Sequence, residues 1–129
     1  RMKVLYPSGS DGMAMAAHMY ICKEYNNKRY GYIKCQTLKP YMLVKSPMKH
    51  YHDEKPDITR NPFTRLTRID CDKVFLTYSV SYDDKLKTNN RPDVCDDLFN
   101  SVHKKLVLDG YSSIQVNEKA LKSLNRLIY

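Results

Sequence analysis

The chain has 129 residues, of which 42% are hydrophobic and 28% charged, and its formal net charge is +8. This composition is sufficient for one hydrophobic core and excludes a wholly disordered chain. The lack of any apolar run of about 18 residues excludes a transmembrane helix. The excess of positive charge favours a polyanionic partner, which could be nucleic acid, an anionic membrane surface or an acidic protein.

The amino-acid usage also indicates an origin and a compartment. Asp, Asn and Lys are abundant while Glu is scarce, a bias typical of the AT-rich coding genomes that viruses often have. We therefore expect a viral protein that is intracellular, in the cytoplasm or nucleus of a host cell. The cysteines form no Cys-x-x-Cys pair and follow no signal peptide, so we expect reduced, buried thiols rather than the two disulfides of a secreted domain. They are Cys22, Cys35, Cys71 and Cys95.

The first half of the chain is predicted to contain strands, one helix and a long loop. Lys3–Tyr6 is a short possible strand, and Asp11–Tyr25, with few helix breakers, is predicted to be a helix that covers the sheet. Arg29–Thr37 and Tyr41–Lys45 are predicted to form a tyrosine-rich pair of strands. Ser46–Phe63 is punctuated by proline and is predicted to be a loop, which at this length is usually functional or mobile.

The second half contains the clearest strand signal, Lys73–Tyr82, in which the side chains alternate strictly between two faces. We interpret it as an interior strand covered on one side by helices. Thr64–Cys71 is ambiguous, with a short strand as one interpretation. A helix capped by Asp93 and ending near Leu108, a strand at Ser113–Val116 and a final helix capped by Asn117 complete the chain.

The order of these elements predicts an α+β fold. We expect one domain over residues 1–129, with a small mixed or antiparallel sheet packed by about three helices. No repeat or linker divides the chain.

His50 and His52 flank a single residue, Tyr51. On a strand, two histidines with this spacing point to the same face, as a site for a divalent metal requires. The alternative is that both are exposed loop residues. A divalent metal is therefore a possible cofactor, and no other cofactor is indicated.

Two tyrosine–isoleucine pairs, Tyr20-Ile21 and Tyr32-Ile33, lie on either side of the Asn26-Asn27 turn. Their spacing resembles the two half-motifs of the GIY-YIG nucleases, most closely a divergent branch attached to viral and phage proteins, over residues 19–129. The resemblance implies a metal-dependent nuclease in which Tyr20 and Tyr32 are catalytic. The position of the metal-binding glutamate would be taken by Asp96 or Asp97, and Asp97 is the residue that we select. Both motif glycines are replaced, which implies weakened or lost catalysis. The alternative is that the tyrosines simply pack on strands.

Basic and aromatic residues alternate along the predicted strand pair and continue beyond it. Lysine and arginine neutralise phosphates, and tyrosine rings stack on unpaired bases. The nucleic-acid contacts that this pattern predicts are Lys28, Arg29, Tyr30, Lys34, Lys39, Lys45, Arg60, Arg65 and Arg68.

Two functions follow from these patterns. The first is a small nucleic-acid-binding domain, which as a divergent nuclease would also be an enzyme. The second is a non-enzymatic viral accessory or structural protein that binds another protein or forms a homo-oligomer. The tyrosine-rich strands and the long loop favour this alternative, because aromatic residues anchor interfaces.

Overall fold

The computed structural model describes residues 18–45, 48–87 and 91–129. These residues form a six-stranded mixed sheet, with helices packed on it, and the predicted α+β class is confirmed. The strands are β1 (Met19–Asn26), β2 (Arg29–Thr37), β3 (Tyr51–Glu54), β4 (Thr67–Asp70), β5 (Lys73–Thr77) and β6 (Ser112–Gln115). The helices are α1 (Pro40–Val44), α2 (Asp96–Asp109) and α3 (Glu118–Leu124), and a short 3₁₀ turn covers Asp84–Leu86. No described helix is long and apolar enough to cross a membrane.

β1 and β2 form an antiparallel hairpin whose register runs from Met19 opposite Cys35 to Asn26 opposite Arg29. Asn27 and Lys28 form the turn with φ angles of 46° and 68°, the left-handed conformation that matches the twist of a two-residue hairpin. The predicted strand Arg29–Thr37 is therefore confirmed. The predicted helix is wrong over residues 18–25, because this segment pairs with β2 as a strand. Tyr20 and Ile21, which a helix would place on one stripe, face opposite sides of the sheet. The first residues of the predicted helix, and the possible strand Lys3–Tyr6, lie outside the described residues.

β2 organises the sheet because both of its edges are paired. β1 pairs with one edge of β2. Along the other edge of β2, β5 pairs with Tyr30–Tyr32 and β4 pairs with Cys35–Thr37. β3 then adds antiparallel to β4, and β6 adds parallel to β5.

Asp72 lies at the break between β4 and β5 and joins the two outer strands there. Its carboxylate accepts hydrogen bonds from the backbone N–H groups of Lys49 and His50, at 2.6 and 2.8 Å. Its carbonyl accepts one from Ser112 at 2.9 Å. One aspartate thus fixes the start of β3 and the start of β6.

The core lies on both faces of the sheet. Leu98, Val102 and Leu106 of α2 pack on one face, and Leu121 of α3 packs on the other beside Phe75. The expectation of helices on one side only is therefore wrong. The predicted alternation along Lys73–Tyr82 ends with β5, because the chain bends after Thr77. Beyond that bend, Val80 and Tyr82 join the Phe75 side.

Several predicted boundaries also need correction. The predicted strand Tyr41–Lys45 is the helix α1, in which Pro40 supplies a φ angle suited to a first helical position and Met42 is buried. The predicted loop Ser46–Phe63 contains β3, since His52 and its neighbours pair with β4. α2 begins at Asp96 and is capped by Cys95, whose sulfur accepts from the Leu98 N–H at 3.4 Å, rather than by Asp93.

The predicted cap of α3 is confirmed, because the Asn117 side chain accepts from the Ala120 N–H at 3.0 Å. The four cysteines are thiols in the structure. Cys35 and Cys71 are buried as expected, but Cys22 is exposed on β1.

Candidate nucleic-acid interface

Five tyrosines from the hairpin and from the segment after β5 form one group of rings, which we call the tyrosine cluster. Tyr30 and Tyr32 are stacked in parallel with ring centres 5.8 Å apart. The Tyr82 ring contacts both, at 4.7 and 5.3 Å. Tyr20 meets Tyr32 edge to face at 6.4 Å, and Tyr25 contacts Tyr30 at 4.7 Å. Pairing of β1 with β2, with the register shift between Cys22 and Glu24, therefore brings together rings that are separated in sequence.

The hydroxyl groups of Tyr30, Tyr32 and Tyr82 remain protonated at neutral pH, because each has a raised pKa. Tyr82 Oη lies 2.8 Å from Thr77 Oγ1, within hydrogen-bonding distance. Burial, together with the neighbouring Tyr82 hydroxyl, raises the pKa of Tyr32 far above its ordinary value. Burial also raises the pKa of Tyr30 and Tyr82. These three tyrosines therefore offer neutral rings and hydroxyl donors, not phenolate nucleophiles.

A cleft of about 750 Å³, which we call the tyrosine cleft, opens beside the tyrosine cluster, and all five rings contribute to its wall. Phe63 and Phe99 add further apolar surface. Asp83, Asp84 and Asp93 also line it. Carboxylates repel phosphate, so this cleft suits a flat, uncharged group such as a nucleobase better than a phosphate.

A second cleft, of about 330 Å³, has the opposite electrostatic character, and we call it the basic cleft. Its described lining includes Arg65, Lys85, Lys87 and Arg91 and no aspartate or glutamate. It is continuous with the tyrosine cleft, because residues including Phe63 and Lys87 line both. Guanidinium and ammonium groups suit phosphate, and of these four cations Lys87 also contacts the exposed Asp84 carboxylate at 3.4 Å.

The hairpin tip supplies further positive charge. Lys28 and Arg29 are exposed there, and the Arg29 guanidinium lies 5.7 Å from the ring centre of Tyr78. Tyr30 follows on β2 and belongs to the tyrosine cluster. These three predicted contact residues therefore lie next to the tyrosine cleft.

The other predicted contact residues are dispersed. Lys34 is buried on the side of the sheet that carries Tyr32, opposite Tyr20 in the hairpin register. Lys39 and Lys45 are exposed at the two ends of α1.

Two predicted arginines are committed to the fold. Arg60 donates to Glu54 Oε2 at 2.9 Å. Arg68 is buried, donates to both carboxylate oxygens of Asp53 at 2.8 Å, and lies over the Tyr51 ring at 3.6 Å. Arg68 cannot reach a phosphate without leaving these partners, so we remove it from the contact set.

The predicted histidine pair is not assembled into a metal site. His50 Nδ1 lies 3.0 Å from Asp72, whereas His52 Nε2 lies 3.2 Å from Glu54. Each ring thus engages a different carboxylate. In residues 18–45, 48–87 and 91–129, no three His, Cys, Asp or Glu side chains are grouped so as to hold a metal ion.

The residues that the nuclease resemblance implicates are not brought together. Tyr20 and Tyr32 lie on the side of the sheet that α3 covers. Asp97 is exposed in the first turn of α2 and does not line the tyrosine cleft, although Asp93 and Phe99 near it do. The described geometry therefore gives Asp97 no part in a site with the two tyrosines.

The sequence reasoning missed Tyr82, Lys85, Lys87 and Arg91. All four lie in or next to the polar segment after β5. The recurrence of cations in this short polar segment was a usable signal. Comparisons of the chain with known protein families, curated proteins and solved structures give no match.

Proposed function

We propose that this protein binds single-stranded nucleic acid across the two joined clefts, with bases in the tyrosine cleft and phosphates in the basic cleft. The observation that supports the proposal is the continuity of an aromatic wall with a lining of four cations. Stacking on tyrosine requires bases whose faces are open, which favours single strands over duplexes. The net charge of +8 increases the rate of encounter with a polyanion.

The acidic residues of the tyrosine cleft support this division of roles. Asp84 and Asp93 are exposed at its wall, where they disfavour a phosphate and accept hydrogen bonds from the amino groups of bases. Phosphates are therefore directed toward Arg65, Lys85 and Lys87. The strand pair first predicted as the contact surface is replaced by the β1–β2 hairpin and the turn after β5.

The test is fluorescence anisotropy with labelled single- and double-stranded oligonucleotides of DNA and RNA over a salt series. The double variant Lys85→Gln/Lys87→Gln removes two cations of the basic cleft. Its matched control, Lys119→Gln/Lys122→Gln, removes two exposed cations from α3 and lowers the net charge equally. We expect the cleft variant to weaken binding and to reduce the salt slope by about 0.7 for each phosphate that the missing lysines would have neutralised.

The aromatic half of the proposal is tested with Tyr25, which is exposed and contacts Tyr30. Tyr25→Ala should weaken binding by about 1–3 kcal/mol if a base stacks there, and Tyr25→Phe should restore it. Equal losses in the cleft variant and in the α3 control would show that binding depends only on net charge. Salt-insensitive binding, or none at low salt, would overturn the proposal as a whole.

A further inference from the structure

The short helix α1 exposes nearly all of its apolar side chains. Met42 is buried, but Tyr41 is 62%, Leu43 71% and Val44 92% exposed. Single exposed apolar residues are common on protein surfaces, whereas a contiguous group usually marks a contact site. The nucleic-acid proposal does not use this group, because none of its members lines either cleft.

α1 is held rigidly against the sheet while these side chains project. The buried Arg68 guanidinium donates to the Met42 carbonyl at 3.2 Å. The segment before α1 is also fixed, since the Leu38 N–H donates to the Leu66 carbonyl at 2.9 Å. Arg68 is itself fixed by Asp53. The exposure of Leu43 therefore belongs to an anchored helix.

The charges around these apolar residues are positive. Lys39 precedes α1 and Lys45 follows it, and both are exposed. Arg65 is exposed beside Leu66. The carboxylate of Asp53, which is linked to α1 through Arg68, is neutralised by its two hydrogen bonds to that arginine.

We propose that α1 docks on an anionic lipid surface, with Leu43 and Val44 entering the interface and Lys39 and Lys45 at the headgroups. An apolar projection flanked by cations is complementary to a bilayer whose surface is negative and whose interior is apolar. Tyr41 fits the same location, since tyrosine rings favour the membrane–water interface. The occupant is thus identified by charge complementarity as well as by apolar surface.

The experiment is co-sedimentation of nuclease-treated protein with vesicles of phosphatidylcholine alone, or containing phosphatidylserine at about a quarter of the lipid. We expect binding only to the anionic vesicles. Leu43→Ser/Val44→Ser should lower the partition coefficient at least about tenfold, because two aliphatic side chains no longer enter the interface. Lys39→Gln/Lys45→Gln should lower it roughly fivefold for each lysine.

The matched control is Leu108→Ser, since Leu108 is 79% exposed near the end of α2 but is followed by Asp109 instead of a lysine. Partitioning of this variant should equal that of the wild type, and circular dichroism should show all variants folded. Lys85→Gln/Lys87→Gln should retain vesicle binding, so failure of the nucleic-acid proposal can be distinguished from failure of the lipid-binding proposal. Absence of binding to anionic vesicles, or an equal loss with Leu43→Ser/Val44→Ser and with Leu108→Ser, would overturn the inference. If the apolar residues of α1 bind a protein partner instead, the protein will not bind to the anionic vesicles.

Discussion

The buried ion pair beneath α1 leads to an asymmetric prediction. Removing the carboxylate, as in Asp53→Ala, should destabilise the protein more than removing the cation, as in Arg68→Met. Arg68 is buried, and its side chain is only 3% exposed, whereas the Asp53 side chain is 33% exposed. Loss of the carboxylate leaves a cation away from water, while loss of the cation leaves a carboxylate that water can reach.

The structure sets the expected magnitudes. Breaking a fully buried pair by removing one partner costs about 3–5 kcal/mol. Because Asp53 is one-third exposed, solvent already screens the pair, and we expect about 2–3 kcal/mol for Asp53→Ala. Arg68→Met removes the cation altogether but leaves the Met42 carbonyl without this donor, for which we expect about 1–2 kcal/mol.

The assay is equilibrium unfolding in urea at neutral pH, followed by far-UV circular dichroism, with linear extrapolation of the free energy of unfolding. Asp84→Ala is the control, because Asp84 is 93% exposed and its contact with Lys87 at 3.4 Å is solvated. It should leave the stability unchanged. A loss with Arg68→Met equal to or larger than that with Asp53→Ala would refute the reasoning from burial.

Three further predictions concern the core, the thiols and the pH dependence. Leu98→Ala should lower the free energy of unfolding by about 2–5 kcal/mol in the same urea assay, since Leu98 is fully buried on the inner face of α2. A smaller loss would mean that neighbouring side chains move in to fill the cavity. Cys22 is exposed and should react quickly with an aromatic disulfide reagent in the native protein. Burial and the nearby Asp70 raise the pKa of Cys71 to about 12, so this thiol should react only after denaturation. Equal reaction rates of the two thiols in the native protein would contradict this prediction. Burial disfavours the charged form of Glu54, but hydrogen bonds from Arg60, His52 and Asn61 outweigh it and lower the pKa. Glu54 therefore adds stability above its unfolded pKa of about 4.3, and this is lost as pH falls through the lower folded pKa. The stability difference between wild type and Glu54→Gln should accordingly shrink in acid, and a constant difference would show that the charge of Glu54 has no role.

The elements that were predicted correctly from the sequence are those whose signals are local. The alternation of β2, the apolar stripe of α2 and the Asn117 cap each depend on residues close together in the chain. β1 was misassigned because Tyr20, Ile21 and Glu24 fit a helical stripe in sequence, and only pairing with β2 shows that the segment is extended. α1 was misassigned because Tyr41 and Val44 favour strands, while burial of Met42 against the sheet favours the helix.

The candidate site was predictable only in part, for a related reason. The tyrosines of β2 were recognised because they alternate within one strand. Tyr82 joins them from a segment far along the chain, and its contact with Tyr30 depends on the bend that ends β5. Arg68 and Arg65 look alike in sequence, yet one is buried against Asp53 and the other lines the basic cleft. Only the pairing of β3 with β4 separates them, since it sets Arg68 opposite Asp53.

The same ion pair offers a way to separate the two proposed binding surfaces. Arg68 holds α1 through the Met42 carbonyl, whereas the tyrosine cleft is built by β1, β2 and the turn after β5. Under conditions where the variant remains folded, Arg68→Met should weaken vesicle binding, because Leu43 is no longer presented on an anchored helix. Its affinity for single-stranded oligonucleotides should stay within twofold of that of the wild type, which corresponds to a change in binding free energy of at most about 0.4 kcal/mol. Parallel losses in both assays would show that the surfaces are not independent, and that a single polyanion site explains both activities.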